Sequence, residues 1–517
     1  MARRDARQHV ELVEEDGSDP LAPSAGPAGT SPGPDASPGD PLGIPADPGP
    51  PGTRPTWGAR RRLVTAGALV AVVAAAAIVS QVVTDAQDRA RVALVAGQWG
   101  AGPLLDGPPR VLWTMPADDF PRQLRTESGV LVGTFFDGRT PDGFPDTDAP
   151  MVVRGVDAAT GTGLWEVELL DPPDRNDPDD AVPDNGWCEQ HPTDPVLVVC
   201  FANDSRYSYT QEAPTRIPAT ERRLVVIDTS DGSVVADLTD AAGAADTATV
   251  AGGLVVLTTR GDEDLTVTAL HPDGTRAWTR TLPAPPSQER FVGAVGDRIG
   301  VVAAGTLTLL DPSGEEVVST PRGDDGFVGI APVGVVIYPD GRDPQDTARH
   351  STLIRADGSR TTVGGELALP RLDDGSAPDL LLSTDGSTLR AWDRDGVERW
   401  AATVAGASAV LVLDGRVHVS DGDDVLTFDA RTGDELWRHD GRGLGEVWTD
   451  GRHVLTSGPG EVGRGFEVLA LDRSDGSVVW RGPLPGDVIS VSARRGMLVA
   501  EVTRADGSGM LDVVVLG

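Results

Sequence analysis

The sequence predicts an all-β propeller built of four-stranded blades. One observation is a repeated hairpin, seen at Val425–Trp437 and Val468–Trp480, in which an alternating strand ends in Asp, a tight turn carries Gly, and the next strand places Trp four residues after that Gly. A second observation is the spacing, because successive turn glycines are 71, 42, 40, 44, 38, 37 and 43 residues apart. A period of about 40 residues with two hairpins per unit is typical of propeller blades.

The residues of this hairpin have physical roles in the turn. The Asp side chain accepts hydrogen bonds from backbone N–H groups two residues on, and Gly supplies the positive φ that closes the turn. The predicted turn glycines are Gly161, Gly232, Gly274, Gly314, Gly358, Gly396, Gly433 and Gly476. The Trp is predicted to fill the space between neighbouring blades. The predicted blade-packing residues are Trp113, Trp165, Trp278, Trp400, Trp437 and Trp480.

The number of blades depends on the chain ends and on two weak repeats. After the last turn motif the chain has three further strands, and Arg110–Thr114 resembles a fourth strand without neighbours. Joining the two ends would close the ring and remove an exposed edge. Taken literally, the repeats give nine units. The units around Gly314 and Gly358 lack the Trp, and one of them is interpreted as an insertion, so eight blades are predicted, within a range of seven to nine.

Two segments precede the predicted propeller. Residues 1–59 are dominated by Pro, Gly, Ala, Ser and Asp, which predicts a disordered cytoplasmic tail that is either simply solvated or a docking segment for partners. Arg60–Arg62 then precede the uncharged run Leu63–Val83, whose 21 residues are long enough for a single transmembrane helix within residues 60–84.

The charges around this run predict its orientation. Arginines before it place the N-terminus in the cytoplasm, so residues 85–109 are predicted to be a linker and residues 110–517 a propeller outside the plasma membrane. A cleaved signal peptide is the alternative, because Ala74–Ala77 are small. The 62 residues before the run are too many for a signal peptide, which favours the anchor.

Charge and composition exclude several function classes. The formal net charge is −35, and all 44 basic residues are Arg, which is typical of a GC-rich genome such as an actinobacterial one. Without Lys, Schiff-base, phosphate-loop and Ser-x-x-Lys enzymes are excluded. No basic cluster neutralises phosphates in this acidic chain, so nucleic acid is not expected as a partner.

The two cysteines, Cys188 and Cys200, are twelve residues apart in the longest interval between turn glycines. This interval carries an insertion of about thirty residues. In an oxidising compartment the pair favours a disulfide over two free thiols. A metal site would need more ligands, and His191 is the nearest.

Other sites have little support in the sequence. The seven histidines show no spacing typical of zinc ligands, and no Gly-x-Ser-x-Gly or dinucleotide motif occurs. The acidic runs Asp177–Asp180 and Asp421–Asp424 could bind calcium but lack the EF-hand spacing. No catalytic, cofactor-binding or metal-ligating residue is therefore predicted.

The repeat resembles that of the pyrroloquinoline-quinone (PQQ)-type β-propellers. The match covers about residues 110–517 and is strongest at Asp157–Trp165, Asp393–Trp400, Asp429–Trp437 and Asp472–Trp480. The resemblance implies either a quinone-dependent dehydrogenase or a binding or scaffold propeller without a cofactor, as in an envelope-assembly lipoprotein. Those dehydrogenases have a disulfide between adjacent cysteines and calcium held by acidic and amide side chains. This chain has no adjacent cysteines and three Asn.

These observations predict a non-catalytic, membrane-tethered propeller that acts as a binding or scaffold module in the cell envelope, with an envelope protein or a glycan as its partner. The alternative is a PQQ- or metal-dependent oxidoreductase with a diverged site, using PQQ and calcium. A sensor that couples ligand capture to the tail is a third possibility. The predicted contact surface is the insertion Asp171–Arg216 with Trp187, Tyr207 and Tyr209, unless that loop has no function.

Overall fold

The computed structural model describes residues 86, 89–140, 146–172, 181–183, 186–209, 214–285, 291–321, 327–331, 333–338, 349–441, 443–460 and 465–517. The predicted tail, residues 1–59, and the predicted membrane span, Leu63–Val83, lie outside these residues. No helix in the described ranges is long and apolar enough to cross a membrane. The described residues form nine blades, numbered 1 to 9, of which eight have four strands and one has a fifth short strand.

The strands of each blade follow one another along the chain. Blades 1 to 3 consist of Leu124–Arg125, Val130–Phe136, Met151–Asp157 and Gly163–Leu170; Trp187–Gln190, Leu197–Asn203, Arg222–Asp228 and Val234–Asp237; and Thr247–Ala251, Leu254–Arg260, Asp264–Leu270 and Arg276–Pro283. Blades 4 to 6 consist of Phe291–Val295, Arg298–Ala303, Thr306–Leu310 and Glu316–Pro321; Phe327–Ala331, Gly334–Tyr338, His350–Ile354 and Arg360–Gly364; and Glu366–Leu367, Leu381–Thr384, Thr388–Trp392 and Glu398–Thr403. Blade 7 consists of Ala409–Leu413, Arg416–Ser420, Val425–Asp429 and Glu435–His439, and a fifth short strand, Leu372–Asp373, pairs in parallel with Ala409–Leu413. Blade 8 consists of Val447–Thr449, His453–Pro459, Phe466–Asp472 and Val478–Pro483.

Blade 9 joins the two ends of the described chain. Its first three strands are Asp487–Arg494, Met497–Thr503 and Leu511–Leu516, and its fourth is Val111–Pro116. The last two run antiparallel, with Thr114 opposite Val514. The prediction that strands from both ends close the ring is therefore confirmed.

The prediction of eight blades is wrong, because the units that contain Gly314 and Gly358 are both complete blades. In blade 4, Val318 stands where other blades have Trp. A Cβ added at Gly358 of blade 5 would lie 3.4 Å from the Cβ of Val318, which is ordinary contact. A smaller side chain at this point therefore does not prevent a blade from forming.

Apolar packing is concentrated between blades. Among the described residues, nine buried apolar clusters lie one at each boundary between successive blades, including the boundary between blades 9 and 1. Val267 of blade 3 clusters with Ile299 of blade 4, and Val515 of blade 9 clusters with Leu131 of blade 1. Burying each such side chain contributes about 1.5–3 kcal/mol, so each blade depends on both of its neighbours.

The repeated Trp and Gly residues meet across these boundaries. Five indole N–H groups donate to a backbone carbonyl in the following blade at 2.8–3.1 Å, and they belong to Trp113, Trp165, Trp278, Trp400 and Trp437. All eight turn glycines have φ between 70° and 82°. Gly274 faces Leu238, and Gly396 faces the backbone of Thr362. Trp480 lies between blades 8 and 9, and its indole N–H has no partner among the described residues.

The remaining elements are short. Ala181–Pro183, Arg206–Tyr209 and Pro214–Ile217 form a three-stranded sheet beside blade 2, within the predicted insertion. A helix, Thr239–Ala242, joins blades 2 and 3. A 3-10 turn, Ala117–Asp119, follows the closing strand. Residues 89–95 are helical.

Candidate functional site

Two of the cavities in the described part of the ring are large enough and central enough to be candidate sites. The first has a volume of about 760 Å³ and is lined mainly by the first strands of blades 1 to 4; we name it the first-strand cavity. The second, of about 1320 Å³, lies between residues 92–104, the edges of blades 1, 5, 7, 8 and 9, and the segment that joins blade 6 to blade 7; we name it the N-terminal cavity. Arg495 lines both.

In the first-strand cavity, Gln123 joins blade 1 to blade 2. Its side-chain N–H group donates to the carbonyl of Gly186 at 2.9 Å and to the hydroxyl of Thr134 at 2.7 Å. Its side-chain carbonyl accepts the N–H of Cys188 at 3.0 Å. These hydrogen bonds use both the amide N–H and the carbonyl of the Gln123 side chain, so this side chain holds the cavity wall together.

Next to Gln123, Cys188 and Cys200 form a disulfide, as predicted. They lie directly opposite each other on the first two strands of blade 2, with a Cα–Cα distance of 4.1 Å. Both are buried, and Cys188 lines the first-strand cavity. The disulfide therefore fixes the wall of this cavity.

Glu189 joins blade 2 to blade 3. Its carboxylate accepts the N–H of Val250 at 2.5 Å and the hydroxyl of Thr249 at 3.3 Å. Burial raises the pKa of Glu189, and these two hydrogen bonds oppose the rise. The Glu189 carboxylate therefore connects blade 2 to blade 3 through hydrogen bonds.

The N-terminal cavity exists because residues 89–109, which we name the N-terminal arm, pack on the ring. Gly102 donates its N–H to the carbonyl of Thr449 at 2.8 Å, and Thr449 donates its N–H to the carbonyl of Gly100 at 3.0 Å. Arg91 forms an ion pair with Asp414 at 2.9 Å. The segment predicted as a linker is thus attached to blades 7 and 8 wherever it is described.

Two arginines lie over the Trp99 ring of the arm, and a third, Arg125, is bonded to one of them. The guanidinium carbons of Arg494 and Arg495 lie 5.6 and 5.9 Å from the centroid of the Trp99 ring. Arg125 of blade 1 donates to the backbone carbonyl of Arg495 at 2.5 Å. Burial lowers the pKa of both Arg125 and Arg495. No ion pair in the described structure joins any of the three to a carboxylate.

Two acids of the N-terminal cavity, the buried Asp450 and the more exposed Asp373, bind backbone groups. Asp450 accepts the N–H groups of Leu105 and His453 at 3.3 and 2.7 Å. Burial raises the pKa of Asp450, but hydrogen bonds from His453 hold it below its usual range. Burial raises the pKa of Asp373, whose carboxylate accepts the N–H of Gly375 at 2.8 Å.

The predicted contact residues are dispersed. Trp187 lies on the first strand of blade 2 and lines the first-strand cavity. Tyr207 lies in the small sheet, with its hydroxyl 3.5 Å from the Arg260 guanidinium. The side chain of Tyr209 is outside the described part.

The two acidic runs differ in what the structure describes of them. In Asp421–Asp424, the Asp421 carboxylate accepts the N–H groups of Asp423 and Asp424 at 3.0 and 2.7 Å, which forms a turn. Asp177–Asp180 lie outside the described residues. Within the described ranges, no group of three or more His, Cys, Asp or Glu is placed to hold a metal ion.

Whether a quinone held by calcium fits these cavities depends on the oxygen ligands that the cavity residues offer. Calcium takes six to eight oxygen ligands. Glu189 lines one cavity and Glu127, Asp373 and Asp450 line the other; no three of them are grouped to hold a metal ion, and Glu189, Asp373 and Asp450 already accept backbone N–H groups. The described cavity residues therefore do not fit the calcium-held quinone that the resemblance implied.

The arginine cluster is the feature that sequence reasoning missed. Arg494 and Arg495 precede Gly496 at the tip of a hairpin, and Arg495 has φ 47°. The signal in the sequence was two arginines in a turn where Gly or Asp is usual. Their proximity to Arg125 and Trp99 depends on contacts across the whole ring.

Comparison with known proteins gives a family match. A family model described as outer membrane protein assembly factor BamB matches residues 150–326 and 359–514, more than half of the chain. No curated protein sequence matches.

Solved structures give weaker similarity. BamB from Moraxella catarrhalis is 17% identical, with 65% of this chain and 99% of that chain covered and a TM-score of 0.32. Quinohemoprotein alcohol dehydrogenase from Comamonas testosteroni is 13% identical, with 82% and 80% covered and a TM-score of 0.38. Similarity at this level carries no implication for function.

Proposed function

Because the chain belongs to the PQQ-like propeller family described as outer membrane protein assembly factor BamB, we propose that it is a non-catalytic binding or scaffold module of the cell envelope. Its partner would be an envelope protein. The family supports this class of function through its description. A glycan partner is less well supported, because the N-terminal cavity has a largely apolar rim that includes Leu104, Val333 and Leu369.

The observation that carries the proposal is the use of polar groups in the cavity walls. Gln123 and Glu189 are bonded between blades, and Asp450 accepts backbone N–H groups and lies 3.0 Å from Nδ1 of His453, so its carboxylate is also occupied. A general base needs a carboxylate or imidazole within reach of a substrate proton. These side chains instead hold a rigid wall, which suits recognition by shape and charge.

We also propose that the propeller is tethered by the span at Leu63–Val83, with the N-terminus in the cytoplasm and the ring outside. An oxidising compartment is where a disulfide such as Cys188–Cys200 persists. A net charge of −35 opposes adsorption to anionic lipid, so a tether is the consistent means of attachment.

Site-specific photo-crosslinking of the full-length protein in cells tests the binding function. A photoreactive residue at Trp99, which is 50% exposed beside the N-terminal cavity, is compared with one at Val479, which is 49% exposed on the outer strand of blade 8. A scaffold should give a discrete crosslink to one envelope protein from position 99 and not from 479. Equal, diffuse labelling from both positions would contradict the proposal.

A second measurement addresses the enzymatic alternative. The purified full-length protein is titrated with PQQ and calcium while thermal stability and dye reduction are followed with a panel of alcohols and sugars. We expect neither stabilisation nor turnover. Saturable stabilisation together with turnover would replace the scaffold function by an oxidoreductase.

A protease test addresses the tether. Spheroplasts that contain the full-length protein are treated with protease, and membrane fractions are probed for the N-terminal and C-terminal ends. The proposed topology predicts loss of the C-terminal end and protection of the N-terminal end. The reverse pattern, or release of the intact protein from membranes by salt, would contradict it.

A further inference from the structure

The most informative unassigned feature is a cluster of three arginines: Arg494 and Arg495 lie over the Trp99 ring, and Arg125 is bonded to Arg495. Nearby arginines have carboxylate partners: Arg122 pairs with Glu501 at 3.0 Å, and Arg504 pairs with Asp512 at 2.6 Å. The three clustered arginines have no such partner among the described residues, although acidic residues greatly outnumber basic ones in the chain.

The backbone of Arg495 provides an independent observation. It occupies the first position of a two-residue hairpin loop with φ 47°. In the corresponding hairpins of blades 3, 4 and 7, this position is Gly252, Gly296 and Asp414. Gly and Asp tolerate positive φ, whereas a long side chain is strained there. Strain of this kind is concentrated at functional sites.

The surroundings of the cluster hold the cations in place. Trp99 lies under both Arg494 and Arg495, and the arm is fixed by the N–H of Arg495, which donates to Gln98 at 3.2 Å. Arg125 is held by its bond to the Arg495 carbonyl. A cation–aromatic contact restrains a guanidinium without neutralising its charge, so the cluster remains available to an anion.

The remaining residues that line the N-terminal cavity indicate what kind of molecule bears the anionic group. Leu104, Val333, Leu369 and Pro370 make part of its wall apolar. Guanidinium groups bind carboxylate or phosphate in a bidentate manner. A polyanion or an anionic bilayer would be repelled by a molecule of net charge −35. A single oxyanion on an apolar body is therefore the ligand that fits.

The backbone of this cavity favours a peptide. After its helical residues 89–95, the arm pairs its backbone with the ring in two isolated β-bridges, Trp99 with Arg494 and Ala101 with Thr449. An apolar peptide has the same backbone groups and ends in a carboxylate. We propose that Arg125, Arg494, Arg495 and Trp99 form a site for the C-terminal carboxylate of an apolar peptide segment of an envelope partner. The biological partner rests on the proposed scaffold function, whereas the site itself does not.

The test is calorimetric titration of the full-length protein in detergent with three probes. The first is the peptide acetyl-Val-Val-Phe with a free carboxylate, the second is the same peptide as its C-terminal amide, and the third is hexyl phosphate. We expect the free acid to bind on the order of tenfold tighter than the amide, because a charge-assisted pair is lost with the amide. Tighter binding of hexyl phosphate than of the acid would overturn the peptide assignment.

Two variants separate binding from folding. Arg495→Gly removes the cation and suits the positive φ, so thermal stability should be retained or raised while affinity for the acid falls on the order of tenfold. Arg122→Gln, which removes a surface arginine outside the cluster, is the matched control and should leave affinity unchanged. If Arg495→Gly binds the acid like the wild type, or if acid and amide bind equally or not at all, the site is refuted. A crosslink at position 99 that persists in that case would leave the scaffold function standing.

Discussion

The indole of Trp165 in blade 1 covers Gly232 in the turn of blade 2. A Cβ added at Gly232 would lie 2.7 Å from the Trp165 side chain, and the Trp165 N–H donates to the carbonyl of Thr229 in the same turn at 2.8 Å. One residue thus requires the other. The repeated Gly and Trp of the sequence are the two halves of a contact between successive blades.

Gly232→Ala should therefore destabilise the protein more than backbone strain alone predicts. Gly253→Ala is the matched control, because Gly253 has the same φ of 76° but no atom within 4 Å of an added Cβ. Strain alone costs about 1–2 kcal/mol, and the contact with Trp165 adds about 1–3 kcal/mol. Urea unfolding of both variants measures the difference. Equal losses would show that the Trp165 ring moves aside freely.

The disulfide of blade 2 should contribute measurable stability. Because Cys188 and Cys200 are 12 residues apart, reduction should lower the free energy of unfolding by about 2–3 kcal/mol. Thermal unfolding with and without reductant measures this loss. The double variant Cys188→Ala, Cys200→Ala should be insensitive to reductant. A wild type that is equally stable in both conditions would contradict the prediction.

His418 should make stability depend on pH. Burial, with Arg416 nearby, lowers the pKa of His418 to about 3. The unfolded state, with a pKa of about 6.5, then binds the proton that the folded state excludes. Stability should therefore fall as pH decreases from about 6.5 towards 3, by at most about 1.4 kcal/mol per pH unit.

The variant His418→Asn tests this assignment. Asn retains a polar group for the hydroxyl of Thr427, which lies 2.7 Å from Nδ1 of His418, but it does not titrate. Urea midpoints between pH 7 and 4 should vary less in the variant than in the wild type. Parallel profiles would show that other groups cause the pH dependence.

Ring closure should depend on Trp113. This residue is 8% exposed at the boundary between blades 9 and 1. Trp113→Ala should cost about 3–5 kcal/mol and loosen the closing strand, whose free edge then pairs with other molecules. Trp278→Ala, between blades 3 and 4, is the control for lost volume without an opened edge. Light scattering should show self-association in the first variant and not in the second.

The blade architecture follows from local chemistry and was therefore predictable. Turn Asp and Gly residues act within a few positions of each other, so their period is visible in the sequence. The count was wrong because propellers usually have four to eight blades, so one of the two weak repeats, at Gly314 or Gly358, was interpreted as an insertion. Val318 fills the boundary between blades 4 and 5 with a smaller side chain, so apolar volume at the boundary matters more than residue type.

The candidate site was not predictable in the same way. Arg125 and Arg495 are 370 residues apart in sequence and meet only when the ring closes. Trp187 was assigned to the insertion because it lies within the long interval Asp171–Arg216, yet it belongs to the first strand of blade 2. Pairings of this kind are set by the ring as a whole, which a repeat period does not encode.

The closing strand also sets the order in which the molecule is completed. Val111–Pro116 is synthesised before the strands of blades 1 to 8, whereas its partner Leu511–Leu516 follows about 400 residues later. At 5–20 residues per second, about 20–80 s separate the two. During that interval the first strand has no partner in its own chain, and the boundary that joins blade 9 to blade 1 is open. The risk that this strand edge pairs with another molecule is therefore greatest early in the life of each chain, before blade 9 is complete.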